Sequence, residues 1–148
     1  MRATEISLTG LDVEWRRLEV IAENLANANT AAPVKGPVYQ ELHLISGPRN
    51  DFGAMLNRTD AGGKGLDIDT LSGVAVQGIV ASSSPPRLVH EPGNPMANSQ
   101  GFVAYPAIDH AGQMTKMIET SRIYEANIVA MSLAREMYTK ALELGRPR

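Results

Sequence analysis

The sequence predicts an α+β protein: long N- and C-terminal helices packed as a coiled-coil-like hairpin, with a small turn-rich β module inserted between them. Three observations carry this. Apolar residues step by alternating threes and fours along both terminal segments. Proline and glycine clusters then break each run. Between the breaks, short stretches of β-type alternation sit among turn-forming residues.

The first element is a helix from about Thr4 to Ala28. Leu8, Leu11, Trp15, Leu18, Ala22, Leu25 and Asn29 form a heptad seam, widened by Ile21 and Ala28. Thr4 suits an N-cap, and Glu5 suits the first turn. The tail of this helix reads "NLANANT", with Asn24, Asn27 and Asn29 spaced by small alanines. Asparagine is a poor helix former because its amide competes for nearby backbone groups. One asparagine is an ordinary C-cap. Three of them ask for partners. Pro33, Gly36 and Pro37 close the N-terminal segment, assigned to residues 1–32.

Residues 33–108 form the expected central module. "VYQELHLI" (38–45) alternates as a strand. The Gly-, Asn- and Asp-rich stretch near 46–73 reads as a flexible loop. Further strands are expected at 73–80, 87–91 and 101–106, punctuated by prolines. Residues 109–148 then hold the second assembly helix, from about Asp109 to Leu144. Met117, Ser121, Tyr124, Ile128, Met131, Arg135, Tyr138 and Leu142 make its main stripe. A second stripe runs through Ala126, Ala130, Leu133, Met137 and Leu144. Gly145 and Pro147 end it. One helical hairpin can cover one stripe on each helix and no more. The remaining apolar surface points to packing between chains, although periodicity alone equally suits a monomeric hairpin.

The 148 residues carry a net charge of −2 and no cysteine. The weak acidity argues against nucleic acid as a partner, because neutralising phosphates needs a basic face. Without cysteine there is no disulfide frame and no thiolate metal site. The chain shows no apolar run long enough to span a bilayer and no secretory pattern at its start. His43, His90 and His110 are not at ligand spacing, so no metal is expected. "DAGGKGLDID" (60–69) has neither the phosphate-loop spacing nor the calcium-loop ligand order. "ASSSPP" (81–86) lacks a nucleophile elbow. No catalytic residue, cofactor or small-molecule substrate is assigned.

Read together, the motifs identify a family. "LEVIAENLANANT" (18–30) resembles the N-terminal signature of the bacterial flagellar axial proteins, which build rod, hook and hook-associated segments. "HEPGNPMANSQGFVAYPAIDHAGQM" (90–114) and "SRIYEANIVAMSLAREMYTKALELGR" (121–146) resemble the C-terminal half of the proximal-rod branch. "AAPVKGPVYQ" (31–40) replaces the Gly-Tyr-Lys-like turn of many axial proteins and resembles that branch's longer linker. Residues 48–73 align with no motif.

The resemblance implies a non-enzymatic, self-assembling subunit of the drive shaft that crosses the periplasm. It implies export by the flagellar type III apparatus without a cleaved signal peptide. Implied partners are copies of itself, other rod subunits, and neighbours on the MS-ring and export-gate side and toward the distal rod. It also implies terminal helices that are largely disordered until they pack. The subunit interface then falls on the residues of the two seams and on Asn127, with Asn24, Asn27 and Asn29 hydrogen-bonding to backbone groups of neighbours. Arg135, the one charge on its stripe, is either a rim residue or a buried partner for Glu14 or Glu19 that fixes register. Two other readings stay open: a soluble helical adaptor, and a periplasmic wall-remodelling factor, which needs a groove with two carboxylates.

Overall fold

The structure, a computed structural model, describes residues 2–49 and 73–144. Two helices flank a small set of strands in the order α1 (Arg2–Asn27), β1 (Leu42–Pro48), β2 (Val74–Ala81), β3 (Arg87–His90), β4 (Phe102–Tyr105) and α2 (His110–Leu144). The α+β class and the insertion of β structure between terminal helices follow the sequence expectation. The glycine-rich segment "DAGGKGLDID" lies outside the described residues, as does most of the 46–73 stretch.

Three boundaries differ from expectation. Helix α1 begins at Arg2, so Thr4 sits inside its first turn instead of capping it. Arg and Ala are good helix formers, and nothing before Thr4 stops the helix. Strand β1 starts at Leu42, not Val38, and runs to Pro48, into the stretch read as loop. The backbone of Leu42 explains the late start: its N–H and C=O both bond the Asn24 side chain. Helix α2 starts one residue after Asp109, which acts as the cap: its carboxylate accepts the Ala111 N–H at 3.1 Å. By residue count α1 is about 39 Å long and α2 about 52 Å.

Strand β1 pairs with β2, and β3 with β4. The β3–β4 pair is antiparallel, with Val89 opposite Val103 and Leu88 opposite Ala104. Ala32 adds a further rung on the other side of β4. Its N–H and C=O exchange bonds of 2.9 Å with those of Ala104. The loop joining β3 to β4 is tied by Asn98, whose Oδ1 accepts the N–H groups of Gln100 and Phe102. Gly101 closes it at φ 79°, where a side chain is strained and a Cβ would crowd His90.

The chain divides into two compact units. The first comprises Met1–Trp15, Ser46–Gln77 and Ser121–Arg148; the second comprises Arg16–Ile45 and Gly78–Thr120. The second holds most of the described interior: Val20, Ile21, Ala28, Ala32, Val103 and Ala104, with the buried polar residues Asn24, Gln113 and Thr120. Among the described residues, the first unit contributes Val13 and Glu14 to the buried set.

Candidate functional site: the asparagine node and the outward helix faces

The second unit answers what the asparagines touch. Asn24 is 1 % exposed. Its Nδ2 donates to the Leu42 carbonyl at 2.9 Å, and its Oδ1 accepts the Leu42 N–H at 2.8 Å. The amide thus pairs with one residue of chain as a neighbouring strand would. Oδ1 also accepts the Tyr39 hydroxyl at 3.0 Å, and Nδ2 lies 3.5 Å from Oε1 of Gln113. Gln113 in turn donates to Glu41 at 2.6 Å. Lys116 approaches the same carboxylate oxygen at 3.3 Å, and His43 lies 3.6 Å from it. Burial, and then the charge of Glu23, raises the pKa of Tyr39, which keeps its hydroxyl a donor.

Every polar atom of the Asn24 amide is therefore matched inside its own chain. The expectation that Asn24 bonds a neighbouring subunit is corrected on that ground: it is a buried tie between α1, the 33–41 linker and α2. Asn27 donates to the Glu23 carbonyl of its own helix at 2.9 Å. Asn29 is exposed.

In the first unit, α1 meets α2 in antiparallel order. Gly10 lies against the amide of Asn127, so that a Cβ there would be 3.1 Å from its Nδ2. One turn further along, the rings of Trp15 and Tyr124 are 6.3 Å apart. Thr9 holds the start of β2: its hydroxyl donates to Ile6 at 2.7 Å and accepts the Val74 N–H at 3.1 Å. The preceding Gly73 has φ 85°, and a Cβ on it would run into the Thr9 hydroxyl. Gly73→Ala is expected to cost about 1–3 kcal/mol through backbone strain and the displaced hydroxyl. A lowered thermal midpoint measures it, and an unchanged midpoint contradicts this role for Thr9.

The faces turned inward are not the richest in apolar surface. On α1 the inward residues are Val13, Glu14, Val20, Ile21, Asn24 and Ala28. At 3.6 residues per turn this face is centred about 130° round the helix from the heptad seam, and it takes in Ile21 and Ala28 from the seam's edge. Leu8 is 55 % and Trp15 56 % exposed, Ala22 is exposed, and Leu11, Leu18 and Leu25 are half-buried on the flanks. On α2, Gln113 and Thr120 are buried, and Met117, Tyr124, Asn127 and Met131 half-buried. Ile128, Arg135, Tyr138 and Leu142 are exposed. The second stripe, Ala126 to Leu144, is exposed along its length. Arg135 is thus exposed in the single chain, and Glu19 is paired with Arg16 of its own helix at 2.7 Å.

Comparison with known proteins gives these faces a context. Residues 5–32 match the family model described as flagella basal body rod protein. Residues 99–144 match the model described as flagellar basal body rod FlgEFG protein C-terminal. Over 142 residues the chain is 31 % identical to the flagellar basal-body rod protein FlgC of Escherichia coli O6:H1, covering 96 % of this chain and 95 % of that one. The chain belongs to the FlgC family of flagellar basal-body rod proteins. The FlgC of Salmonella typhimurium is 32 % identical over 142 residues, with the same two coverages. That of Bacillus subtilis is 32 % identical over 146 residues, covering 95 % of each chain. The two matched segments contain α1 with its asparagines, Ala32, β4 and α2.

Among the described residues no three His, Cys, Asp or Glu gather as a metal site, and no helix is long and apolar enough to cross a membrane. His90 packs edge-on against Phe102 at 5.1 Å. The residues that sequence reasoning missed are Val13, Val20, Tyr39, Leu42, Gln113 and Thr120. The helical ones do recur at three and four, but polar members hide the pattern from a search for apolar stripes.

Proposed function

We propose that the chain is a structural subunit of the flagellar rod, in its proximal part, and that it assembles through the outward faces of α1 and α2. The observation that carries this is the exposure of Leu8, Trp15 and Ala22 on the α1 seam and of the whole second α2 stripe, while the main α2 stripe is half-buried at Met117, Tyr124 and Met131. Exposed apolar rows of this length mark protein contact sites. Two faces on two helices suit a subunit with several neighbours. The interface residues are Leu8, Leu11, Trp15, Leu18, Ala22 and Leu25 on α1, and Ile128, Arg135, Tyr138 and Leu142 on α2, joined by the second α2 stripe. The partners are further copies and other rod subunits, reached by type III export without a cleaved signal peptide. The helices pack in a coiled-coil-like manner, which the antiparallel order within the first unit supports. In this reading 1–32 and 109–148 are the assembly segments and 33–108 the central module, a division by role that differs from the two compact units, which cut through both helices.

Leu18→Asp tests the reading. Leu18 lies on the flank of the outward face and contributes little to the interior of the chain. A carboxylate sealed into a subunit contact without a partner costs on the order of 3–5 kcal/mol, by analogy with a broken buried pair. The variant is expected to be exported and to keep its circular dichroism spectrum, while the strain that carries it does not swim. Wild-type swimming refutes the assignment of this face.

A further inference from the structure

We infer that a polar row specifies the pairing of α1 with α2 of its own chain: Gly10 and Asn24 on one helix, Gln113 and Asn127 on the other. The row discriminates, so that an apolar stripe of another copy does not take the place of the chain's own helix. The inference concerns pairing inside one chain and does not rest on which faces meet in the rod.

The apolar stripes do not choose a partner. Leu11, Leu18 and Leu25 repeat one residue type at steps of seven, and Met117, Tyr124, Met131 and Tyr138 alternate two types at the same step. A slip of one heptad moves a helix about 10 Å and brings the same kind of apolar contact back. A stripe on a second copy offers that contact again. Specificity is a difference between affinities, and stripes of this kind leave little difference.

The polar row changes at every level. Along α2, Gln113, Thr120 and Asn127 stand seven apart; the first two are 2 % and 3 % exposed, and Asn127 is half-buried. A buried polar residue is the informative exception on a helix with apolar residues to spare. Gly10 and Asn24 stand fourteen apart on α1, as Gln113 and Asn127 do on α2. In the second unit, Nδ2 of Asn24 faces Oε1 of Gln113 at 3.5 Å. The bond from Gln113 Nε2 to Glu41 at 2.6 Å fixes which end of that amide is presented. In the first unit, the missing side chain of Gly10 leaves the place that the Asn127 amide fills, and a Cβ there would stand 3.1 Å from Nδ2. Each unit thus holds a match of its own, amide to amide in the second and amide to notch in the first. An apolar stripe from another copy set over Gln113 would bury its amide oxygen without a donor. One set over Asn127 would meet a large side chain where Gly10 offers room. Selecting partner and register, at some cost in stability, is the well-attested use of buried polar residues in paired helices.

Sedimentation and thermal melts of the full-length chain test this. Gln113→Leu with Asn127→Leu makes the row apolar at similar side-chain size. This variant is expected to melt no lower than the wild type, yet to self-associate at a concentration about tenfold or more lower. Ser132→Leu adds an apolar side chain outside the row and should sediment as the wild type does. Unaltered sedimentation of the double variant overturns the proposal, and so does equal association of the Ser132 variant. If the leucine pair lowers the midpoint, its association reports unfolding, and an exchange decides instead. Gly10→Asn and Asn127→Gly are each expected to promote association alone. Combined, they trade notch and amide between the helices, and the chain should again sediment as the wild type. A combined variant that associates as readily as the worse single one overturns the proposal.

Discussion

Val103→Asp is expected to unfold the second unit altogether. Val103 is 0 % exposed and sits opposite Val89 in the β3–β4 ladder, with Ala104 beside it bonded to Ala32. No basic side chain reaches this site among the described contacts. A carboxylate there faces two unfavourable choices. Kept ionised, it is a desolvated charge without a partner; protonated, it is a polar group without a hydrogen bond. Either cost is several kcal/mol, on the order of the whole 5–15 kcal/mol that holds a domain together. The control is Val103→Ala, which removes two methyl groups and leaves a small cavity, for about 2–3 kcal/mol. The Ala variant should melt early yet fold; the Asp variant should show no cooperative transition and no slow amides in β3 and β4. A cooperative transition near the wild-type midpoint in the Asp variant contradicts the placement of Val103 at the centre of the unit.

The sequence made the element types legible wherever period and punctuation agreed. The stepping of apolar residues along both ends reports helix whichever way the helix faces, so α1 and α2 appeared with ends good to a few residues. The alternation at 87–91 and 101–106 marks β3 and β4 for the same reason. What periodicity does not report is which stripe the chain uses on itself. The seam through Leu8, Trp15 and Ala22 has more apolar surface than the face through Val13, Glu14, Val20 and Asn24, so it looks like the interior. For a subunit that packs against neighbours, that ranking does not decide. A residue such as Asn24 takes an inward place because it has backbone groups to match there, and Thr120 and Gln113 are small or polar enough for close contact. Their partners come from residues 39–42, which no local pattern connects to residue 24. The late start of β1 has the same origin: the Leu42 backbone is bonded by a side chain 18 residues earlier.

Leu133→Asp is expected to give the largest loss of assembly for the smallest change in the free chain. Leu133 is 52 % exposed on the second α2 stripe, between Ala130 and Met137. In the monomer an aspartate there meets water, and exposed substitutions of this kind stay within about 0.5 kcal/mol. If the second α2 stripe is the assembly face proposed above, the same position meets a neighbour in the rod, and the carboxylate is sealed from water at a cost of roughly 3–5 kcal/mol per subunit. The penalty repeats at every copy, so it acts on polymer growth and not on one contact. Ser132→Asp makes the comparison strict. It adds the same charge one residue earlier, about 100° around the helix and off the stripe. Both variants should share the thermal midpoint and secretion level of the wild type. Basal bodies from the Ser132 strain should carry rods and hooks, and those from the Leu133 strain should lack them by electron microscopy. Equal rods in the two strains would place the subunit contact on some other face of α2.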